Sequence, residues 1–235
     1  MIAAVPTPER QTLIFDADDT LWENNVFFER VVDDYIEWLA HPTLDPARIR
    51  EIIADVEEAN IVAHGYGSRS FLRSLGDAFS RITERPLGDA DRARIDEFGA
   101  VFAAGHVELL PAVADVLTEL GTRHDLRMMT KGAPDEQQRK IDASGLAHLF
   151  GGIDIVPVKE PGIYRALVET HGLDPERTWM IGNSPRSDIV AARRAGLSAV
   201  FVPHPNTWAH EHAELDDADD RIVTVSSLAE LPRLF

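Results

Sequence analysis

The stretch Leu13-Ile14-Phe15-Asp16-Ala17-Asp18-Asp19-Thr20 decides the fold. A short apolar, β-branched and aromatic run bounded by polar turn residues reads as a buried strand, which puts the carboxylates at its carboxyl end. Open α/β sheets bind their ligands at that end. Side chains alternate along an extended backbone, so Asp16 and Asp18 are expected on one side and Ala17 on the other. Two aligned carboxylates offer a nucleophile and a general acid or base. Acidic triplets also serve as plain turns and caps, because the carboxylate bonds nearby amides. The rest of the chain has to separate these readings.

Outward from this loop, residues 24–105 read as helical throughout. Val31, Val32, Tyr35, Ile36, Trp38 and Leu39 recur at helical spacing, and Asp45-Pro46 marks the start of a second helix carrying Ile49, Ile52, Ile53 and Val56. His64-Gly65-Tyr66-Gly67 reads as a loop, Ser70 to Ile82 as a third helix and Asp89 to Phe102 as a fourth. From Leu109 onward, strands alternate with helices. A helix from Pro111 to Gly121 precedes a strand at Leu126 to Met129, and a helix from Pro134 to Ser144 precedes a strand at Ile153 to Val158. A helix at Ile163 to Thr170, a strand at Trp179 to Ile181, a helix at Ser187 to Ala195 and a strand at Ala199 to Val202 follow, with Ile222 to Val225 as an edge strand. Such alternation implies an α/β fold, a doubly wound parallel sheet with helices on both faces. The expected division is a core of residues 1–23 and 106–235, with a helical domain, 24–105, inserted after the first strand.

Composition narrows the chemistry. A chain of 235 residues with 44% hydrophobic content can bury a sizeable core, and no apolar run is long enough to span a bilayer. The amino terminus lacks a secretory pattern and the chain has no cysteine, which excludes disulfides and thiolate chemistry and makes the cytoplasm the expected location. The net charge of -17 opposes nucleic acid, and no membrane partner is expected. A phosphate approaching the acidic loop is also opposed, by roughly 4 kcal/mol per charge pair at about 4 Å near a protein surface, so cations must share the site. Lysine occurs only at Lys131, Lys140 and Lys159, and Lys131 and Lys159 fall just after expected strands.

Four strand ends now line up: Asp16 and Asp18; Met129-Thr130-Lys131-Gly132; Val158-Lys159-Glu160-Pro161; and Ile181-Gly182-Asn183-Ser184-Pro185-Arg186-Ser187-Asp188. In a parallel sheet these loops share one rim and can converge on one ligand. This order resembles the haloacid dehalogenase-like hydrolase superfamily, most of whose members are phosphatases. The likeness lies in the D-x-D-x-T of Asp16, Asp18 and Thr20, the hydroxyl of Thr130, the lysine at 159 and an acidic fourth loop ending in Asp188. The layout matches as well, with the helical block where that superfamily carries its first type of cap on a Rossmann-like core.

The resemblance implies a phosphoric monoester hydrolase. Asp16 would attack phosphorus to give an aspartyl-phosphate, and Asp18 would protonate the leaving oxygen and then activate water. Thr130 and Lys159 would hold and neutralise the phosphoryl oxygens. Mg2+ would be bound by Asp16, the Asp18 carbonyl and Asp188. Where the fourth loop more usually carries an acid after its glycine, this chain has Asn183, which implies looser binding of the metal and a higher Mg2+ requirement.

Other branches fit less well. Dehalogenation uses the nucleophile without the second aspartate, and phosphonate cleavage needs a cap lysine that 24–105 lacks. A phosphotransferase or phosphomutase would keep all four loops. A non-enzymatic phospho-receiver would not explain the insert or Lys159. The partner expected is a small phosphorylated substrate, for which Tyr66, Arg69, Lys131 and less directly Arg73 are candidate contacts. Trp22 would wall the pocket or join the core, and His204, His210 and His212 read as a solvated face.

Overall fold

The structure, a computed structural model, describes residues 9–103 and 107–235. The amino-terminal reading of residues 1–8 and the expected end of the insert, at 105, lie outside that description.

Among the described residues, six parallel strands form one sheet in the order β3-β2-β1-β4-β5-β6. They are β1 (Thr12–Phe15), β2 (Asp125–Lys131), β3 (Gly152–Val156), β4 (Thr178–Gly182), β5 (Ser198–Phe201) and β6 (Ile222–Thr224). The chain runs from β1 to β2 and β3 on one side, and β4 to β6 lie on the other. Successive connections therefore diverge at the β1/β4 boundary, where such sheets open a crevice beyond the strand ends. Phe15 is in register with Met128 on one side and Ile181 on the other, and Asp16 N–H extends the ladder to the Ile181 carbonyl at 2.9 Å.

Alternation along β1 feeds both faces of the sheet. Leu13 and Phe15 join Met128, Ile181 and Val200 against Val116, Leu117 and Leu120 of α6 (Val113–Gly121). Ile14 joins Met129 and Met180 against Tyr164 and Leu167 of α8 (Pro161–His171). Burial on both faces fixes β1, and with it the acidic loop, at the centre of the molecule.

Between β1 and β2 come α1 (Asn25–Leu39), α2 (Pro46–His64), α3 (Ser68–Thr83), α4 (Asp89–Phe98) and α5 (Ala100–Ala103). They bury an apolar cluster of their own, including Val31, Tyr35, Ile49, Ile53, Phe71, Leu75 and Phe79, and the Tyr35 hydroxyl donates to the Leu75 carbonyl at 3.0 Å. The Asp45 carboxylate accepts from Arg48 N–H at 2.8 Å, capping α2 ahead of Pro46. No helix among the described residues is long and apolar enough to cross a membrane.

Several boundaries differ from the sequence expectation. β2 runs two residues further because Thr130 and Lys131 pair with Ile155 and Val156 of β3, so both are strand residues rather than loop residues. Pro111 lies outside its helix: Ala112 takes a left-handed φ of 64° and α6 begins at Val113. The expected fourth helix breaks at Gly99. The expected helix from Ser187 to Ala195 is a π-helical turn, Pro185–Val190, followed by the short α9 (Ala191–Arg194). Its cause is local, since the Ser184 carbonyl accepts from both Asp188 N–H at 2.9 Å and Ile189 N–H at 3.4 Å, which widens the turn.

Candidate active site

Beneath the crevice, which Asp16 lines, the Lys159 ammonium, on the loop between β3 and α8, bonds Asp16 Oδ1 and also Asp188 Oδ1, the latter at 2.8 Å. All three residues are buried, Asp188 completely. Burial drives the Lys159 pKa down, but the two carboxylates outweigh it and hold the lysine above its usual value. Burial and the Asp16 charge push Asp188 up, and Lys159 and Ser184 N–H, 3.0 Å from Oδ2, oppose them. The approach is close enough to require Gly182, because a Cβ there would lie 2.1 Å from Asp188 Oδ2. That glycine permits the wide turn to bring the Asp188 carboxylate back against the end of β4.

Asp16 and Asp18 both line the crevice, yet their carboxylates engage different partners. Asp16 Oδ2 accepts from the Thr20 hydroxyl at 3.2 Å. Asp18 is held by the Lys140 ammonium at 2.7 and 2.8 Å, by the Trp22 indole N–H at 2.7 Å and by the Gln137 amide at 3.1 Å. Gln137 also donates to the buried Thr130 hydroxyl at 2.5 Å and so connects two of the sequence candidates. Trp22 is fully buried. After Asp18 the backbone turns sharply through Asp19 at φ 58°, and the Asp19 carboxylate accepts from Asn24 N–H and Asn25 N–H at 2.9 and 3.0 Å, capping α1. Desolvation raises Asp19 to about 7 against these bonds.

Asn183, which follows Gly182, is buried beside Asp16 and Thr20. With its amide turned as an Asn would settle here, Nδ2 faces Asp16 Oδ2 at 3.3 Å, the Asp18 carbonyl at 3.3 Å and the Thr20 hydroxyl at 3.2 Å, and Oδ1 accepts from Thr207. The Asp16 carboxylate, the Asp18 carbonyl and the hydroxyl thus converge on one point with the Asn183 side chain. A set of hard oxygens suits a divalent cation, and rotating this amide would add a fourth oxygen to it.

Above these residues, the crevice runs into the helical insert. Tyr66 and Trp208 form its wall, edge to face at 6.1 Å, with the Lys131 ammonium 4.5 Å from the Tyr66 ring centre. Lys131 pairs with the buried Glu211 and contacts the Ser187 hydroxyl at 3.2 Å. Burial favours the neutral acid at Glu211, but Lys131 and the Ser187 side chain prevail and lower its pKa. Arg69 points away from the crevice, 81% exposed, and pairs with Asp135 at 2.5 Å. Next to it Ser68 binds Glu136 through N–H and hydroxyl at 2.9 and 2.8 Å, tying the insert to α7 (Pro134–Ser144).

Lys140, Gln137, Glu211 and Trp208 escape the sequence reading. Lys140 and Gln137 sit three residues apart on one face of α7, but nothing in their surroundings distinguishes them from surface helix residues. The histidine stretch divides. His212 is exposed, His210 packs on Trp208 at 4.5 Å, and His204 is not on a solvated face: its side chain is only 8% exposed and lies 3.5 Å from Glu23 and 3.9 Å from Asp19.

Residues 11–196 match the family described as haloacid dehalogenase-like hydrolase. A phosphoserine phosphatase of Thermus thermophilus is 35% identical over 185 residues, spanning 75% of this chain and 70% of that one. Among solved structures, a haloacid dehalogenase-like family hydrolase from Xanthomonas campestris superposes with a TM-score of 0.83 at 27% identity, covering 96% of this chain and 90% of the other. The L-2-haloacid dehalogenase of Xanthobacter autotrophicus superposes with a TM-score of 0.62 at 18% identity, covering 96% and 98%, and shares the fold.

Proposed function

The chain belongs to the haloacid dehalogenase-like hydrolase family, and from that premise we propose that it is a Mg2+-dependent phosphatase acting on a small phosphorylated metabolite through an aspartyl-phosphate. The observation that carries this reading is the single ammonium of Lys159 bonded at once to Asp16 and Asp188, beneath a crevice that Asp16, Asp18 and Thr130 line. One cation between two buried carboxylates gives a nucleophile fixed in place and a positive charge beneath the position of the phosphoryl oxygens.

In the proposed reaction, Asp16 forms a bond to phosphorus as the ester P–O bond breaks in line, and Asp18 gives a proton to the departing oxygen. Asp18 then takes a proton from water, which attacks the aspartyl-phosphate and releases inorganic phosphate, regenerating Asp16. Thr130 and Lys159 orient and neutralise the phosphoryl group, with Lys131, paired to Glu211, at the rim. The oxygens of Asp16, the Asp18 carbonyl, Asp188 and Asn183 would hold Mg2+, whose charge offsets that of the phosphate. Lys140, Trp22 and Gln137 keep the Asp18 carboxylate at the crevice. Asp18 also argues against dehalogenation, which has no leaving oxygen to protonate.

In this reading α1 to α5 act as a cap over the rim, with Tyr66 reaching the substrate, while Arg69 serves as a surface contact to α7. The lack of cysteine fits work in a reducing cytoplasm. The test is release of phosphate from an aryl phosphate with Mg2+, beside Asp16→Asn. Repeated turnover that disappears in a folded Asp16→Asn variant is expected, and undiminished turnover in that variant would overturn the assignment.

A further inference from the structure

Resting on the phosphatase reading, we propose that the cap half of the crevice selects phosphate esters whose far end carries a protonated amine, and that Glu57 is the residue receiving it. The far wall is apolar, formed by Phe28, Ile61 and Phe71, and two carboxylates, Glu29 and Glu57, interrupt it. Glu29 is engaged by the Arg50 guanidinium at 2.7 Å. Glu57 on α2 is not so engaged: among the described residues no lysine or arginine pairs with it, and the neighbouring Trp208 side chain only partly favours its charged form. It is half-buried, but crevice walls displace most of the solvent around it, and that desolvation, with Glu29 adding repulsion, raises its pKa to about 7.

The cations of the crevice lining are already taken, Lys131 by Glu211 and Lys140 by Asp18. A substrate tail bearing a carboxylate or second phosphate would therefore meet two acids and, among the described residues, no free cation. A neutral tail would leave the desolvated Glu57 without a cation. An ammonium supplies the missing charge and donors, and its methylene stem suits the apolar wall. Ser70, in the same wall, has a buried hydroxyl with no partner among the described residues, available as a further acceptor. The selected substrate is thus anionic at the phosphate and cationic at the other end, matching the two halves of the crevice.

The experiment compares kcat/KM, with Mg2+ at neutral pH, for aminoethyl, aminopropyl and aminobutyl phosphates against propyl, butyl and pentyl phosphates of matching length. For at least one length the unmodified protein should prefer the amine by about tenfold or more. In Glu57→Gln, checked for folding by its thermal transition, that ratio should fall towards one. Equal rates on amine and alkyl esters in the unmodified protein would overturn the amine subsite while leaving the phosphatase reading intact. A preference that survives in folded Glu57→Gln would overturn the role of Glu57. Absence of turnover on every ester, the aryl phosphate included, would instead remove the phosphatase reading and this inference with it.

Discussion

Replacing Lys159 by methionine tests the arrangement beneath the crevice. The change keeps an unbranched side chain as far as Cε and removes, among the described residues, the only positive charge bonded to both Asp16 and Asp188, which are 6% and 0% exposed. At the 2.8 Å separation from Asp188, a pair of unit charges attracts by about 6 kcal/mol with an effective dielectric of about 20. The variant need not lose all of this, because a stranded carboxylate can take up a proton. At pH 7 that costs about 4 kcal/mol for an aspartate of ordinary pKa near 3.9, and this sets the ceiling, in line with about 3–5 kcal/mol for breaking buried pairs. At pH 5 the same protonation costs only about 1.5 kcal/mol. Calorimetry in chelator should therefore show a Tm lower than that of the unmodified protein by about 8–16 °C at pH 7 and by about 3–6 °C at pH 5, taking about 2–4 °C per kcal/mol for a chain of this size. Adding Asp188→Asn should recover most of the loss at pH 7. A deficit that is the same at both pH values, or that the second change deepens, would refute Lys159 as the counter-ion of this pair.

Lys140→Met frees Asp18 from its shortest charged contact; kcat on an aryl phosphate should fall by about tenfold to a hundredfold, with under about 1 kcal/mol of stability lost, and an unchanged kcat in steady-state assays would show that Lys140 does not position Asp18. Asn183→Asp adds a charge beside Asp16 and should lower the Mg2+ concentration giving half-maximal rate, so an unaltered Mg2+ titration would contradict the placing of this residue at the cation. His124 is held neutral by burial, accepting from Gln11 N–H at Nδ1 and meeting the Phe235 carbonyl at Nε2, and its pKa is lowered. The unfolded chain then binds the extra proton first, so the stability this residue contributes is present above the usual value of about 6.5 and is lost as pH falls below it. His124→Gln should flatten the dependence of Tm on pH between about 6.5 and 5; an unchanged slope would exclude it.

The sequence by itself determined the frame. Buried strands with polar residues at or after their ends, in the order Asp16, Thr130, Lys159, Asp188, pointed to a parallel sheet with these residues on one rim, because right-handed crossovers leave little choice of topology. The long helical stretch after the first strand was equally legible from its apolar spacing. Tertiary structure decided the partners of each side chain. Lys140 and Gln137 look like any surface pair on α7 until the helix packs against the acidic loop, where they become the groups holding Asp18. Glu57 and Glu211 are two of many acids in a strongly negative chain, and only the walls around them show that, among the described residues, one lacks a cation and the other has Lys131. Arg69, beside a glycine loop, could have pointed inward, and the packing of α3 on α7 turned it to Asp135. The succession of strands and helices along the chain follows from local periodicity, which a sequence displays, whereas desolvation and pairing depend on atoms brought together from distant segments, which no local pattern encodes.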